Sequence, residues 1–309
     1  MKEPQREIAT IDVCIATYKR PAALSALLCA LEKQDLTGID LRVIVVDNDR
    51  HRSAEKAAYT FYQSRCFEFV YDVEPEQNIA LARNRCLSHV ESDYVAFIDD
   101  DEFPSENWLW SLLFCMLKYR CDIVFGPVFK LLPERAPLWA ERCFKTARRE
   151  TGQPLEFGGA GNVMMARHIL DDETMRFNPS FGLTGGEDTD FFYRQFLAGR
   201  SLVWCDDAVV TEPVPDTRLT LRWVWQRGFR SGQIFNRVFV SRYTAWRKCL
   251  WFGTKVTQVL IGLAAAPFLR VFSYPSCIAM TIRIAAASGQ LSRCFNGGDF
   301  EEYSDKNAH

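Results

Sequence analysis

Tyr94-Val95-Ala96-Phe97-Ile98-Asp99-Asp100-Asp101-Glu102 sets five apolar residues directly against four acidic ones. The apolar half reads as a buried strand. A buried strand that runs into a carboxylate cluster is costly, because like charges repel and apolar neighbours give them no solvation. A divalent cation resolves that conflict: Mg²⁺ or Mn²⁺ takes hard oxygen ligands and leaves positions for substrate phosphates. On an extended chain, residues i and i+2 point the same way. Asp99 and Asp101 are therefore expected on one face, with Asp100 turned from it. The bland alternative is an acidic loop ahead of a helix that Ser105 caps, whose positive end welcomes acids.

Upstream, strand and helix signals alternate. Ile11 to Ala16 reads as a strand, and Pro21 opens a helix to about Lys33 with Leu24, Leu27, Leu28 and Leu31 as its stripe. Leu41 to Val46 is a second strand, ending at Asp47; a helix from Ser53 to about Ser64 and a strand from Phe67 to Tyr71 follow. Asn78 caps a helix through Val90. This alternation predicts an α/β fold, a mostly parallel sheet with helices on both faces. Ligands of such sheets gather at the carboxyl ends of the strands. Thr17-Tyr18-Lys19-Arg20, Asp47-Asn48-Asp49 and Asp99 to Glu102 all fall there, so one crevice is expected to collect them. Downstream, Ile123 to Phe129 reads as a strand broken by Gly126-Pro127, Val163 to Met165 as another, and Glu187 to about Leu197 as a helix.

The chain has 309 residues, a net charge of -2 and eleven cysteines without a C-x-x-C pair. The scattered cysteines read as reduced thiols, several of them in apolar patterns. Four histidines make a His-rich zinc site a poor fit. The polar start, residues 1–12, lacks the apolar core of a secretory signal.

The near-neutral total hides an asymmetry. From Thr217 to Gly298 there is no Asp or Glu, whereas twelve Lys and Arg fall in that stretch, among them Arg227, Arg230, Lys248 and Lys255. Trp223, Trp225, Trp246 and Trp251 lie there too. Basic, aromatic and acid-free is the composition of a surface that meets anionic lipid head groups. The apolar runs 256–269 and 271–287 are interrupted, and neither reaches the length of a clean spanning helix. In-plane helices are expected, and the plain alternative is a basic layer packed on the rest of the protein. The chain is read as two regions, 1–235 and 236–309.

Glu187-Asp188 follows Gly185-Gly186 at a helix start, where the dipole keeps a carboxylate ionised. A carboxylate opposite a departing diphosphate is what displacement at a sugar carbon requires, since it takes the proton of the attacking hydroxyl. An acidic helix start explains the same pair without chemistry. Asp47 can accept hydrogen bonds from a base edge or ribose. Arg20 and Arg83 have the forked donors that suit phosphate.

Ile15 to Pro21, Val45 to Asn48, Asn78 to Asn84, Phe97 to Glu102 and Gly186 to Asp188 occur in an order that resembles the family 2 glycosyltransferases, over about residues 10 to 235. The resemblance implies the GT-A fold, inversion at the transferred sugar, a UDP-linked donor, and Mg²⁺ or Mn²⁺. It places Thr17, Tyr18, Arg20 and Asp47 around the base and ribose, with Arg83 and Asp99 completing the pocket and Asp100 counted with them. It makes Asp101, with Asp99, the metal ligand and Asp188 the catalytic base. The length, the Asp-Asp-Asp-Glu run, Pro213-Val214-Pro215 and the basic tail look most like bacterial exopolysaccharide glucosyltransferases of the succinoglycan type. Those extend a lipid-linked repeat unit by one sugar. The expected donor is UDP-glucose and the acceptor a polyprenyl-diphosphate-linked oligosaccharide. The expected location is the cytoplasmic face of the inner membrane, peripheral or in-plane, on anionic lipid and with no nucleic acid as partner.

Two departures qualify the resemblance. Processive members carry Gln-x-x-Arg-Trp; here Leu219 precedes Arg222-Trp223, which favours transfer of a single sugar. A late histidine near the metal is missing, and Glu212 is a candidate for its place. Arg227 or Arg230 can add charge to the diphosphate, and Gly158 to Asn162 is a candidate acceptor-side loop. The rival readings are a metal-dependent nucleotidyltransferase, which would want a glycine-rich loop at Thr17 to Pro21, and an inactive membrane-bound scaffold on the same fold.

Overall fold

The computed structural model describes residues 8–64, 67–295 and 297–303. The polar start at residues 1–7 and the tail with His309 lie outside them. Two compact units interleave along the chain. The first comprises 1–129, 146–183 and 187–212; the second comprises 130–145, 184–186 and 213–309.

The first unit is a seven-stranded sheet. Its strands are β1 (Ala9–Thr17), β2 (Ile39–Asp47), β3 (Glu68–Val73), β4 (Tyr94–Ile98), β6 (Ile123–Phe125), β8 (Asn162–Ala166) and β9 (Leu202–Trp204). The two-residue β5 (Phe103–Pro104), β7 (Val128–Leu131) and β10 (Val210–Pro213) form a small second sheet in the order β5-β10-β7. The large sheet runs β3-β2-β1-β4-β8-β6-β9. Only β8 is antiparallel to its neighbours, β4 and β6. The expected mostly parallel α/β architecture is what the chain adopts.

Period-2 patterning divides the core. Ile11, Val13 and Ile15 of β1 pack on one side, with Leu24, Leu27, Leu28 and Leu31 of α1 (Pro21–Leu31) and Trp108 and Leu112 of α4 (Trp108–Tyr119). Cys14 faces the other side, with Ala82 and Cys86 of α3 (Ile79–Ser88) and Phe191 and Phe192 of α6 (Glu187–Leu197). The α2 helix (Glu55–Ser64) completes the first side with Ala58 and Phe61.

Asn78 caps α3 as expected, its Oδ1 accepting from the amides of Ala80 and Leu81 at 3.1 and 3.2 Å. Ser105 does not cap α4. That helix begins at Trp108, and the carbonyl of Ser105 instead accepts from Gln34 Nε2 at 2.8 Å.

The second unit is helical: α5 (Ala140–Cys143), α7 (Leu221–Val238), α8 (Ala245–Phe272) and α9 (Tyr274–Ser292). Backbones approach closely between α7 and α9. A Cβ added to Gly232 would stand 2.0 Å from the Ala286 carbonyl oxygen, and one on Gly289 would stand 1.9 Å from that of Phe229. The sequence expectation for the two apolar runs is corrected here. The first of them is part of one 28-residue helix, α8, which continues through Pro267 and is long and apolar enough to cross a membrane by length and composition.

Asp12 is fully buried and its carboxylate is saturated. Arg42 Nε and Nη2 donate to it at 2.7 and 2.9 Å, the Glu91 and Ser92 amides at 2.7 and 3.0 Å, and Ser92 Oγ at 2.8 Å. Burial pushes this carboxyl up, but the Arg42 guanidinium and the Ser92 and Glu91 donors together hold it below the usual carboxylate range. Its stabilisation is present above the unfolded pKa and is lost as pH falls through the folded one, below about pH 4. Removing the carboxylate leaves the buried Arg42 with only the exposed Glu91 and Glu68 as ion partners. Asp12→Ala should therefore cost about 3–5 kcal/mol, read as a fall in the urea midpoint at pH 7, and the difference from wild type should shrink on acidification.

Candidate functional site

The strand order places β1 between β2 and β4, so connections leave it in opposite directions. This switch point opens a crevice at the carboxyl ends of the strands. Thr17 and Asp47 pair in register at the ends of β1 and β2. The end of β4 delivers the three aspartates.

The crevice is closed across the switch point by polar bonds. Thr17 Oγ1 donates to Asp100 Oδ2 at 2.7 Å. Arg20 Nη1 donates to Asp100 Oδ1 at 3.1 Å and to Asp101 Oδ2 at 2.8 Å. Asp100 is 5% exposed, and burial pushes its carboxyl up to about 6 against the pull of Arg20. Lys19 holds a left-handed φ of 55°, with its ammonium 4.7 Å over the Tyr18 ring and its amide donating to Ser53 Oγ at 3.2 Å. A non-glycine residue in that region is backbone strain retained in the turn after β1.

The parity argument for Asp99 and Asp101 does not survive. The strand stops at Ile98, and residues 99–102 turn, with the Glu102 amide donating to the Asp99 carbonyl at 3.1 Å. Asp99 pairs with Arg83 at 2.9 Å while Asp101 pairs with Arg20. Their side chains are 45% and 27% exposed, so both are open to solvent where Asp100 is not. Among the described residues no three His, Cys, Asp or Glu side chains gather as a metal cluster. Two solvent-open carboxylates fit a cation that keeps most of its ligands as water and substrate phosphate. Glu212 is buried on β10 at 6% exposure.

Asp47 is wholly buried. Its Oδ1 accepts from the Asp49 amide at 3.0 Å, and its Oδ2 from the Ala54 amide at 2.8 Å and the Tyr71 hydroxyl at 3.0 Å. The carboxylate braces the loop after β2. Asn48 does the same for the next segment, donating to the Glu74 and Glu76 carbonyls and accepting from the Asn78 amide at 2.8 Å.

Asp188 lies in the first turn of α6 and is half-buried. Its Oδ1 accepts from the Thr189 amide at 2.6 Å, and its Oδ2 is 3.4 Å from the Ala160 amide. The Gly158 to Asn162 segment thus lies against the acid. It is also tightly sterically defined: a Cβ on Gly158 would stand 2.3 Å from the Phe125 ring, and one on Gly161 2.6 Å from Glu102. Asn162 is structural, donating to the Pro127 and Ala208 carbonyls and accepting from Trp108 Nε1.

Arg83 links the two acidic sites. Besides Asp99 it ion-pairs with Glu187, which is 2% exposed. Glu187 Oε2 has no hydrogen-bond partner among the described residues. From the sequence, Glu187 reads as half of the Glu187-Asp188 acidic pair and as the alternative base; its pairing with Arg83 was not expected. The signal that could have found its role was an arginine on a predicted helix whose buried face had no other use for charge.

Residues 12–174 match the family model described as "Glycosyl transferase family 2". The succinoglycan biosynthesis protein ExoM of Rhizobium meliloti is 34% identical over 238 residues, covering 76% of this chain and 77% of that protein. The chain belongs to glycosyl transferase family 2. Another relative of this family 2 enzyme, the hyaluronan synthase of Pasteurella multocida, is 23% identical over 64% of this chain, which spans 24% of that protein. A crystal structure of S. aureus TarS, residues 1–349, in complex with UDP-GlcNAc shares the fold, with a TM-score of 0.55 at 13% identity over 93% of this chain and 92% of that one. The expected family 2 membership and glycosyltransferase class, and the relation to exopolysaccharide biosynthesis, therefore hold.

Burial pushes the Glu187 carboxyl up to about 7, outweighing Arg83. Its folded pKa stands above its unfolded value, so the native state retains a proton that the unfolded chain releases between about pH 4.3 and about 7. Stability should fall as pH rises through that window. Comparing urea midpoints at pH 5 and pH 8, Glu187→Gln should lose less than wild type; equal losses would mean that Arg83 keeps Glu187 ionised throughout.

Proposed function

We propose that this family 2 glycosyltransferase transfers one sugar, expected to be glucose, from a UDP-linked donor to a hydroxyl of a polyprenyl-diphosphate-linked oligosaccharide, with inversion. The observation that carries the reading is Arg83, bonded to Asp99 at the end of β4 and to Glu187 beside Asp188. It ties a donor-side carboxylate to Glu187, the residue next to the acid that would act on the acceptor. The ExoM relative's part in succinoglycan biosynthesis supports the polysaccharide repeat as substrate class, and the TarS complex supports a UDP-sugar as donor class.

In this reading Thr17, Tyr18 and Arg20 line the nucleoside side, Asp47 holds the loop that backs it, and Asp100 fixes Thr17 and Arg20. Arg20 and Arg83 meet phosphate oxygens with forked donors. The Asp188 carboxylate takes the proton of the acceptor hydroxyl as its oxygen bonds to the anomeric carbon. The bond from that carbon to the diphosphate breaks, and UDP leaves with the electron pair. Mg²⁺ or Mn²⁺, when bound, supplies positive charge to the departing diphosphate, and Asp101 with Asp99 would hold it.

Residues 236–309 are proposed as the membrane-associating region. On α8, Leu260, Ile261, Leu263, Phe268, Val271 and Phe272 are all more than half exposed. The uncharged stretch between Lys255 and Arg270 is fourteen residues, or about 21 Å of helix, against a hydrocarbon core of about 30 Å. The proposed placement is in the plane of the cytoplasmic leaflet, with Lys255 and Arg270 at the head groups.

UDP release with and without a lipid-linked acceptor tests the activity. Asp188→Asn should keep calorimetric binding of UDP in Mn²⁺ while transfer falls by about two to four orders of magnitude. Transfer near the wild-type rate would move the base elsewhere, with Glu187 the first suspect. Recovery on liposomes should rise with anionic lipid content and fall in high salt, because head-group attraction is screened. Equal sedimentation with neutral and anionic vesicles would remove the membrane role from the basic tail.

A further inference from the structure

A cleft of about 470 Å³ opens within the second unit, between the end of α7, the start of α8 and the 3₁₀ turn after α9. That is the size of a small-ligand site. Its polarity is ordered by the α8 helix. Lys248 lies in the first turn and is exposed; Trp251 and Phe252 follow one turn later, with Val240 from the facing segment. Residues three and four apart on a helix share a face, so the basic end and the apolar wall belong to one groove.

The wall is fixed. Trp251 is 9% exposed and its indole Nε1 donates to Gln290 Oε1 at 3.1 Å. Phe252 meets the ring of Phe295 edge-on at 6.2 Å between centroids. The other end is cationic in two ways. The α8 helix starts after Thr244, whose side chain makes no capping hydrogen bond, so the first turn presents the positive end of a 28-residue helix. Arg247 and Lys248 stand in that same turn, and of the two Lys248 lines the cleft.

We infer that this cleft binds the head and first prenyl-sized units of a phosphate-bearing lipid, with the phosphate at Lys248 and the chain against Val240, Trp251 and Phe252. Charge complementarity commits the occupant to an anionic head, and the aromatic wall commits it to an apolar tail. An unphosphorylated alcohol leaves the cation unpaired, and a free phosphate leaves the wall bare. The inference rests on the reading of the second unit as the lipid-facing region and adds a discrete site to it.

Two native thiols report on the site. Cys249 and Cys294 both line the cleft and are exposed, while Cys29, on α1 of the first unit, is exposed elsewhere. The full chain, in neutral detergent, is treated with N-ethylmaleimide, and each cysteine's rate is followed by peptide mass spectrometry. The probes are farnesyl phosphate, farnesol and inorganic diphosphate. With farnesyl phosphate at about ten times its Kd, alkylation of Cys249 and Cys294 should slow about tenfold, with Cys29 unchanged. Lys248→Gln should keep the unliganded rates and lose most of the protection. No protection overturns the site; equal protection by farnesol or by diphosphate alone overturns the phosphate-bearing lipid as its occupant; equal slowing at Cys29 marks sequestration of the reagent and overturns it too. Vesicle binding is scored separately, so a chain that meets membranes without this site and one that fails to meet them give different results.

Discussion

A buried guanidinium needs carboxylates, and buried carboxylates need a guanidinium. Arg83 answers both demands at once, between Asp99 after β4 and Glu187 at the head of α6. Glu187 is the buried one of the two, and without Arg83 its charge would be unpaired at a cost of several kcal/mol, whereas the Asp99 side chain is open to solvent. The position of Asp188 follows, because it is the next residue along α6 and its carboxylate is held by local amides. Gly158 and Gly161 then have to be glycine, because Phe125 and Glu102 fill the volume a side chain would take there.

A similar economy holds at the switch point. Burying Asp100 frees its two neighbours to face solvent. Thr17 and Arg20 satisfy it from the far side of the crevice, so the ends of β1 and β4 are joined by side chains where no ladder bond runs. The run of three aspartates therefore divides its labour: the middle one holds the walls and the outer two face solvent, each paired with an arginine.

Much of this could be read from the chain. The alternation of strand and helix, the stripe of Leu24, Leu27, Leu28 and Leu31 and the Asn78 cap follow from local chemistry, and they fix the crevice. Asp100 is turned from its two neighbours as expected, but a turn and not strand parity puts it there, because the strand ends at Ile98. Asp47 read as a ligand contact because it ends a strand; that its oxygens brace residues 49 to 54 depends on a loop path that no periodicity encodes. The Arg83–Glu187 pair spans more than a hundred positions and leaves no local trace. The 28-residue α8 helix was hidden by Pro267, which reads as a break in sequence but falls one turn before the helix ends.

The contact of α7 with α9 has a consequence for where this protein can live. Gly232 and Gly289 let two backbones touch, and Asn236 Nδ2 donates to the Gln290 carbonyl at 2.8 Å, so the pair is joined by close packing and polar bonds, with little need to hide oil from water. An association built that way keeps its strength when the surrounding medium changes from aqueous to hydrocarbon. A helical unit assembled that way would hold together in either solvent without having to choose one of them.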